Sequence, residues 1–209
     1  MADRRYGDPP PPTDSEIAHA DWYAEDLSGC EHTRVAFSDV ELTEAVGRAA
    51  QFTECTFRDC HFNSSRFEHS AFLNCTFTTC TFFDAAFVGC KLIGSMFDRC
   101  RFGVFSCEGG DWSFVGLPGA DLRQCRFSEV RMREVDLVGA RCVGAVLRSV
   151  DLSGAWLHNA DLSGADLRGS EISSLDPGSV KLTGTIIDPD QTMVIALALG
   201  MDVRGEEQP

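Results

Sequence analysis

Gln51-Phe52-Thr53-Glu54-Cys55-Thr56-Phe57-Arg58-Asp59-Cys60-His61-Phe62 carries the pattern that organises this chain. A large apolar residue returns at every fifth place, and a small residue stands two places before it. Counting outward in both directions, the frame holds without insertion or deletion from Ala20 to Ile187. On the N-terminal side it passes through Gly47, Leu42, Phe37, His32, Leu27 and Trp22; on the C-terminal side it runs through phenylalanines to Phe102, then mostly through leucines. At the large position only His32, Gly47 and Pro177 are not apolar. A period of five suits neither the α-helix nor the simple strand. Units this short cannot bury an apolar face alone, so they must stack as a solenoid. If each unit forms one extended side, four sides close a square coil, coils repeat at about 4.8 Å, and residues twenty apart lie above one another.

The same frame disposes of the ten cysteines. Cys30, Cys55, Cys60, Cys75, Cys80, Cys90, Cys100 and Cys125 fall on the small inward position, and Cys107 and Cys142 on the large one. All ten therefore read as small buried hydrophobes. No C-x-x-C occurs and the five histidines are scattered, so no metal site is expected. Stacked inward cysteines would point in parallel, a poor geometry for a disulfide.

Three places depart from the size rule. Gly47 leaves room among Ala45, Ala49 and Ala50 where a large side chain is due. At Phe105 and Cys107 the large and small residues exchange places, followed by Gly109, Gly110, Trp112 and Phe114. This stretch reads as a bulged corner that keeps the summed core volume; the alternative is an exposed contact loop presenting Phe105, Trp112 and Phe114. Pro177 lacks an N–H, so the ladder should stop there. Glu25, at an inward position, reads as part of a frayed first coil that water still reaches.

Ala160-Asp161-Leu162-Ser163-Gly164-Ala165-Asp166-Leu167-Arg168-Gly169 resembles the A-(D/N)-L-x-x unit of the pentapeptide-repeat family. The resemblance implies an all-β fold, a right-handed quadrilateral β-helix. Three regions follow. Residues 1–19, with Pro9-Pro10-Pro11-Pro12, read as a disordered tail; 20–187 form the β-helix; 188–209 form a C-terminal dimerisation helix and tail. Asp188 can cap that helix, Pro189 suits its first turn and Gln191 completes a capping-box spacing, so a helix is expected from about Pro189 to Leu199. Met193, Val194, Ile195, Leu197 and Leu199 make it apolar around most of its circumference. Pairing with a second copy would cover this surface and close the open end of the ladder.

No nucleophile motif and no phosphate loop occurs, so the chain reads as a non-enzyme without a cofactor, acting through its outer surface. No apolar run of eighteen residues and no signal peptide is seen, which suggests a cytoplasmic protein. The net charge of −14 argues against direct nucleic-acid binding. The charge is uneven: residues 91–148 carry a net +2 and residues 149–190 a net −5. In the latter, Asp151, Asp161, Asp166, Glu171 and Asp176 stand at outward positions and would merge with their copies across a dimer axis into one anionic patch. Aspartate before the central residue is also simply the repeat's consensus.

The ending Ile187-Asp188-Pro189-Asp190-Gln191, with Gly200-Met201, is similar to that of the MfpA-type proteins, related in kind to the Qnr and albicidin-resistance proteins. That resemblance implies a homodimeric rod that mimics DNA, binds DNA gyrase, modulates supercoiling and protects it from fluoroquinolones. The alternative is a generic protein-interaction scaffold unrelated to topoisomerase.

Overall fold

The computed structural model describes residues 9–204. Its strands pair in parallel, each residue with the one twenty later: Phe37 with Phe57, Phe57 with Phe77, and Phe77 with Phe97 on one side. On another side Gly47, Phe67, Phe87, Cys107, Phe127 and Leu147 stand in line. This is the register the five-residue frame demands, and the chain is a parallel β-solenoid. A five-stranded sheet runs from Ser15–Ala18 to Met96–Asp98, a six-stranded sheet from Val46–Arg48 to Val146–Arg148, and a three-stranded sheet from Glu31–Thr33 to Ala71–Leu73. The side through Leu42, Phe62 and Phe82 is held by single bridges instead.

Side chains fill the interior. Most rings one coil apart lie face to face, as in Phe57–Phe77 at 4.8 Å and 6°, while most rings on adjacent sides meet edge-on, as in Phe57–Phe62 at 69°. Both geometries suit the ring quadrupole, and each buried ring contributes roughly 2 to 3 kcal/mol. The small companion has its own duty. The thiol or hydroxyl at that slot donates to the backbone carbonyl twenty-three residues earlier: Cys80 to Phe57, Ser95 to Phe72, Ser170 to Leu147. Corners cost strain, because nearly every fifth residue takes a positive φ whether or not it is glycine, from His19 to Gly169. The filled lumen offsets that strain.

Several expectations change here. Strand pairing begins at Ser15, inside the stretch assigned to the tail, and the Asp14 N–H already donates to Arg34. Ile17 continues the frame by one more unit and packs against the core. Of the tail, residues 1–8 lie outside the described residues. There is no hole at Gly47: the Phe67 ring leans over it, and a Cβ there would come within 2.6 Å of that ring. Glu25 is exposed, in keeping with an open first coil. The ladder through Asp136 and Trp156 ends at Trp156, where Pro177 enters the next coil.

One side contains a fissure. Bridges link Asp21, Glu41, His61, Thr81 and Arg101 in sequence, then resume only at Asp121 with Arg141, Asp161 and Lys181. In the same two coils the positive φ moves from position 104 to Gly103 and disappears at Gln124. The cause is Phe105, a full ring in a slot sized for cysteine. A surface cleft lined by Cys100, Arg101, Phe102, Gly103, Asp121, Arg123 and Gln124 marks the gap.

The fissure explains the cysteines. All ten are free; eight are buried, while Cys30 in the open first coil and Cys100 beside the fissure are partly exposed. Burial pushes the Cys90 thiol up to about 11, and the Cys125 and Cys142 thiols up to about 12. Thiols held protonated at neutral pH are poor nucleophiles. Alkylation of the native protein with iodoacetamide, read by mass spectrometry, is therefore expected to modify Cys30 and Cys100 and to reach the other eight only in denaturant. Rapid native modification of Cys60 or Cys80 would contradict the filled lumen.

A candidate protein-binding surface

Outward side chains make up the surface available for recognition, and the acidic ones have a local role first. An aspartate or glutamate just before the large inward residue accepts the N–H two residues on: Asp111 from Ser113, Asp136 from Val138, Asp161 from Ser163, Glu171 from Ser173, Asp176 from Gly178. These short loops are Asx-type turns, which is the physical reason the repeat favours aspartate there.

Within one chain the five acidic residues singled out from sequence do not form one patch. Successive sides of the square coil carry Asp161, Asp166, Glu171 and Asp176, so they face four directions; only Asp151 and Glu171 share a side and a bridge. Three are already neutralised. Asp151 meets Arg133 at 2.6 Å, Asp161 meets Lys181 at 3.4 Å, and Asp166 meets Arg168 at 2.7 Å and Arg148 at 3.6 Å. The Arg168 guanidinium holds the Asp166 carboxyl below the usual range, and a hydrogen bond from Ser163, aided by Lys181, does the same for Asp161. Burial opposes ionisation of Asp151, but Ser153 and Arg133 outweigh it. Glu171 and Asp176 have no ion-pair partner among the described residues.

The alternative contact loop is also corrected. Phe105 and Trp112 are fully buried, and Trp112 stacks on Phe97 at 5°. Phe114 is half-buried at a corner with positive φ. With two of its three rings inside the lumen the stretch is not an exposed contact loop, and its strand keeps the regular register with both neighbouring coils. Exposed apolar side chains lie elsewhere: Phe83 and Val104 beside the fissure, and Trp156 at a slot where the repeat usually has aspartate. Trp156 was legible in Ala155-Trp156-Leu157 but passes unremarked when only inward positions are read.

At the C-terminal end, helix α1 (Pro189–Ala198) forms with the capping box in place. Asp188 accepts the Gln191 N–H at 3.1 Å, and the Gln191 side chain accepts the Asp188 N–H at 2.9 Å. The same two residues fasten the helix to the last coil. Gln191 donates to the carbonyls of Leu167 and Ser170, each at 2.7 Å, and Asp188 accepts from Gly169 at 2.7 Å. The five proposed dimerisation residues divide. Val194 and Ile195 pack against the core, whereas Met193, Leu197 and Leu199 are exposed, together with Ile186, Met201 and Val203.

A family model described as pentapeptide repeats matches residues 117–154, 131–169 and 145–176. The matched residues lie in the C-terminal coils, and it is these coils that the family description covers. Among solved structures, full-length QnrB1, a plasmid-mediated fluoroquinolone resistance protein, aligns over 89% of this chain and 100% of that one, at 20% identity and a TM-score of 0.48. HetL, a pentapeptide repeat protein involved in heterocyst differentiation regulation from the cyanobacterium Nostoc sp., aligns over 84% of each chain, at 19% identity and a TM-score of 0.37. No curated protein matches in sequence. Among the described residues, no helix is long and apolar enough to cross a membrane.

Proposed function

We propose that this pentapeptide-repeat chain is a non-enzymatic cytoplasmic protein that pairs with a second copy through α1 and binds DNA gyrase at its cationic DNA-binding surface. Binding there modulates supercoiling and protects the enzyme from fluoroquinolones. The observation that carries the reading is the C-terminal end: a doubly capped helix, pinned to the last coil, with Met193, Leu197 and Leu199 left uncovered, in the stretch that resembles the MfpA-type ending. The net charge of −14 supports a cationic partner.

The ion pairs argue against a uniform copy of the DNA backbone. Acids already paired with an arginine or lysine are less available to a partner, and Glu171 and Asp176 are among the unpaired ones. Local contacts between unpaired acids and the enzyme's basic residues replace an even lattice of charges.

Purified gyrase tests the proposal. Supercoiling should fall, or quinolone-stabilised cleavage should diminish, at micromolar protein, and the effect should weaken as salt rises. Unchanged supercoiling together with unchanged cleavage would reject it. Exposure of Phe83 and Val104 favours a second reading, a scaffold for another protein; Phe83→Ala would then weaken binding to that protein and leave gyrase unaffected.

A further inference from the structure

One side of the C-terminal coils differs from the other three. Asp111, Asp121, Asp151, Asp161 and Asp166 each have an arginine or lysine within 4 Å. Asp136 has none among the described residues; its Oδ1 accepts the Val138 N–H at 2.9 Å, and no cation approaches either oxygen. Its bridge partner in the next coil is Trp156, a residue 55% exposed. Asp176, also unpaired, occupies the same slot one coil further on, beyond the last bridge. From Gly116 to Ser179 the outward positions of this side hold no lysine or arginine, and His158 is the only group there able to become cationic. Half-burial lifts the Asp136 carboxyl above the usual range, the reverse of the paired aspartates.

We propose that Trp156, with Asp136 on one side and Asp176 on the other, receives an arginine side chain of the partner protein. An exposed indole carries an electron-rich face that attracts a cation, and a guanidinium can stack on it while its N–H groups reach a carboxylate at the strand spacing of about 4.8 Å. Lysine, a compact and strongly hydrated charge, gains less from both contacts. The inference deepens the gyrase reading and rests on it for the identity of the partner; the chemistry of the receptor does not.

Two measurements separate these layers. The first is calorimetric titration of the full-length protein with an arginine-glycine octapeptide and its lysine-glycine counterpart. Arginine is expected to bind more tightly than lysine, with Trp156→Ala and Asp136→Asn each weakening it by about tenfold. Asp121→Asn is expected to leave binding unchanged, because Arg123 already occupies that carboxylate. Asparagine keeps the turn bond to Val138 and removes only the charge, so Asp136→Asn remains folded. Equal binding of both peptides, or equal binding by wild type, Trp156→Ala and Asp136→Asn, overturns the receptor. The second is the effect of Trp156→Ala on gyrase supercoiling. If wild type acts on gyrase and Trp156→Ala acts equally well, the receptor is not the contact; if wild type has no effect, the gyrase reading falls while the peptide result stands.

Discussion

Replacing Gly110 by alanine is expected to lower the stability of the solenoid by about 3 kcal/mol or more, seen as a large drop in the urea midpoint. Gly110 fills the small inward slot before Trp112 at a φ of +88°, a backbone conformation that side-chain-bearing residues rarely adopt. A Cβ there would lie 2.1 Å from the Cys90 carbonyl oxygen and 2.8 Å from the Cys90 nitrogen. Both atoms are backbone in the neighbouring coil, so no rotamer change relieves the clash. The coil reaches this close approach because Phe105 and Trp112 put two large rings into successive sides. Gly119 supplies the control. Its φ is +66° with nothing within 4 Å of a built Cβ, so alanine there should cost only about 1 kcal/mol of backbone strain. Gly47→Ala should fall between them, since the crowded atoms belong to the Phe67 ring rather than to backbone. Equal midpoints for Gly110→Ala and Gly119→Ala would remove the packing argument for this corner.

The pair Met193→Glu and Leu197→Glu is expected to turn a dimer into a monomer. Light scattering after gel filtration should report about 46 kDa for wild type, twice the 22.8 kDa chain, and a single chain mass for the variant. Both side chains point away from the last coil and are more than half exposed, so a charge there costs the solenoid little. In a paired helix the same charges would be buried without partners. Val194→Glu is the contrasting case. Val194 packs against the core, so this change should detach α1 and lower thermal stability as well. A wild-type chain that elutes as a monomer at micromolar concentration would refute the dimer outright.

Legibility varied across the chain for identifiable reasons. Inward positions obey a strict size rule, so Phe52 to Phe102 and their small companions could be placed from spacing alone. The capping box was equally plain, because Asp188, Pro189 and Gln191 act within one turn. Two of the acids have partners that are not local, which spacing along the chain does not reveal. Asp161 meets a lysine twenty residues away, and Asp151 an arginine eighteen residues away. At Phe105 both readings fitted the letters; what settled it was whether the coil could open by a rung to admit a ring. The solenoid begins one unit before Ala20, because Ile17, just after the proline run, already packs against the core.

The amino-acid order alone determined the path of the backbone, because a side chain every five residues can be buried only if the coils stack in one register. Which carboxylates remain available for a partner, where the wall parts beside Cys100, and why Trp156 stands beside an unpaired Asp136 were decided only in three dimensions. The carboxylates and the Trp156 site depend on which outward side chains meet across coils, set by reach and rotamer, and the parting of the wall depends on how an inward ring is admitted, rather than on spacing along the chain.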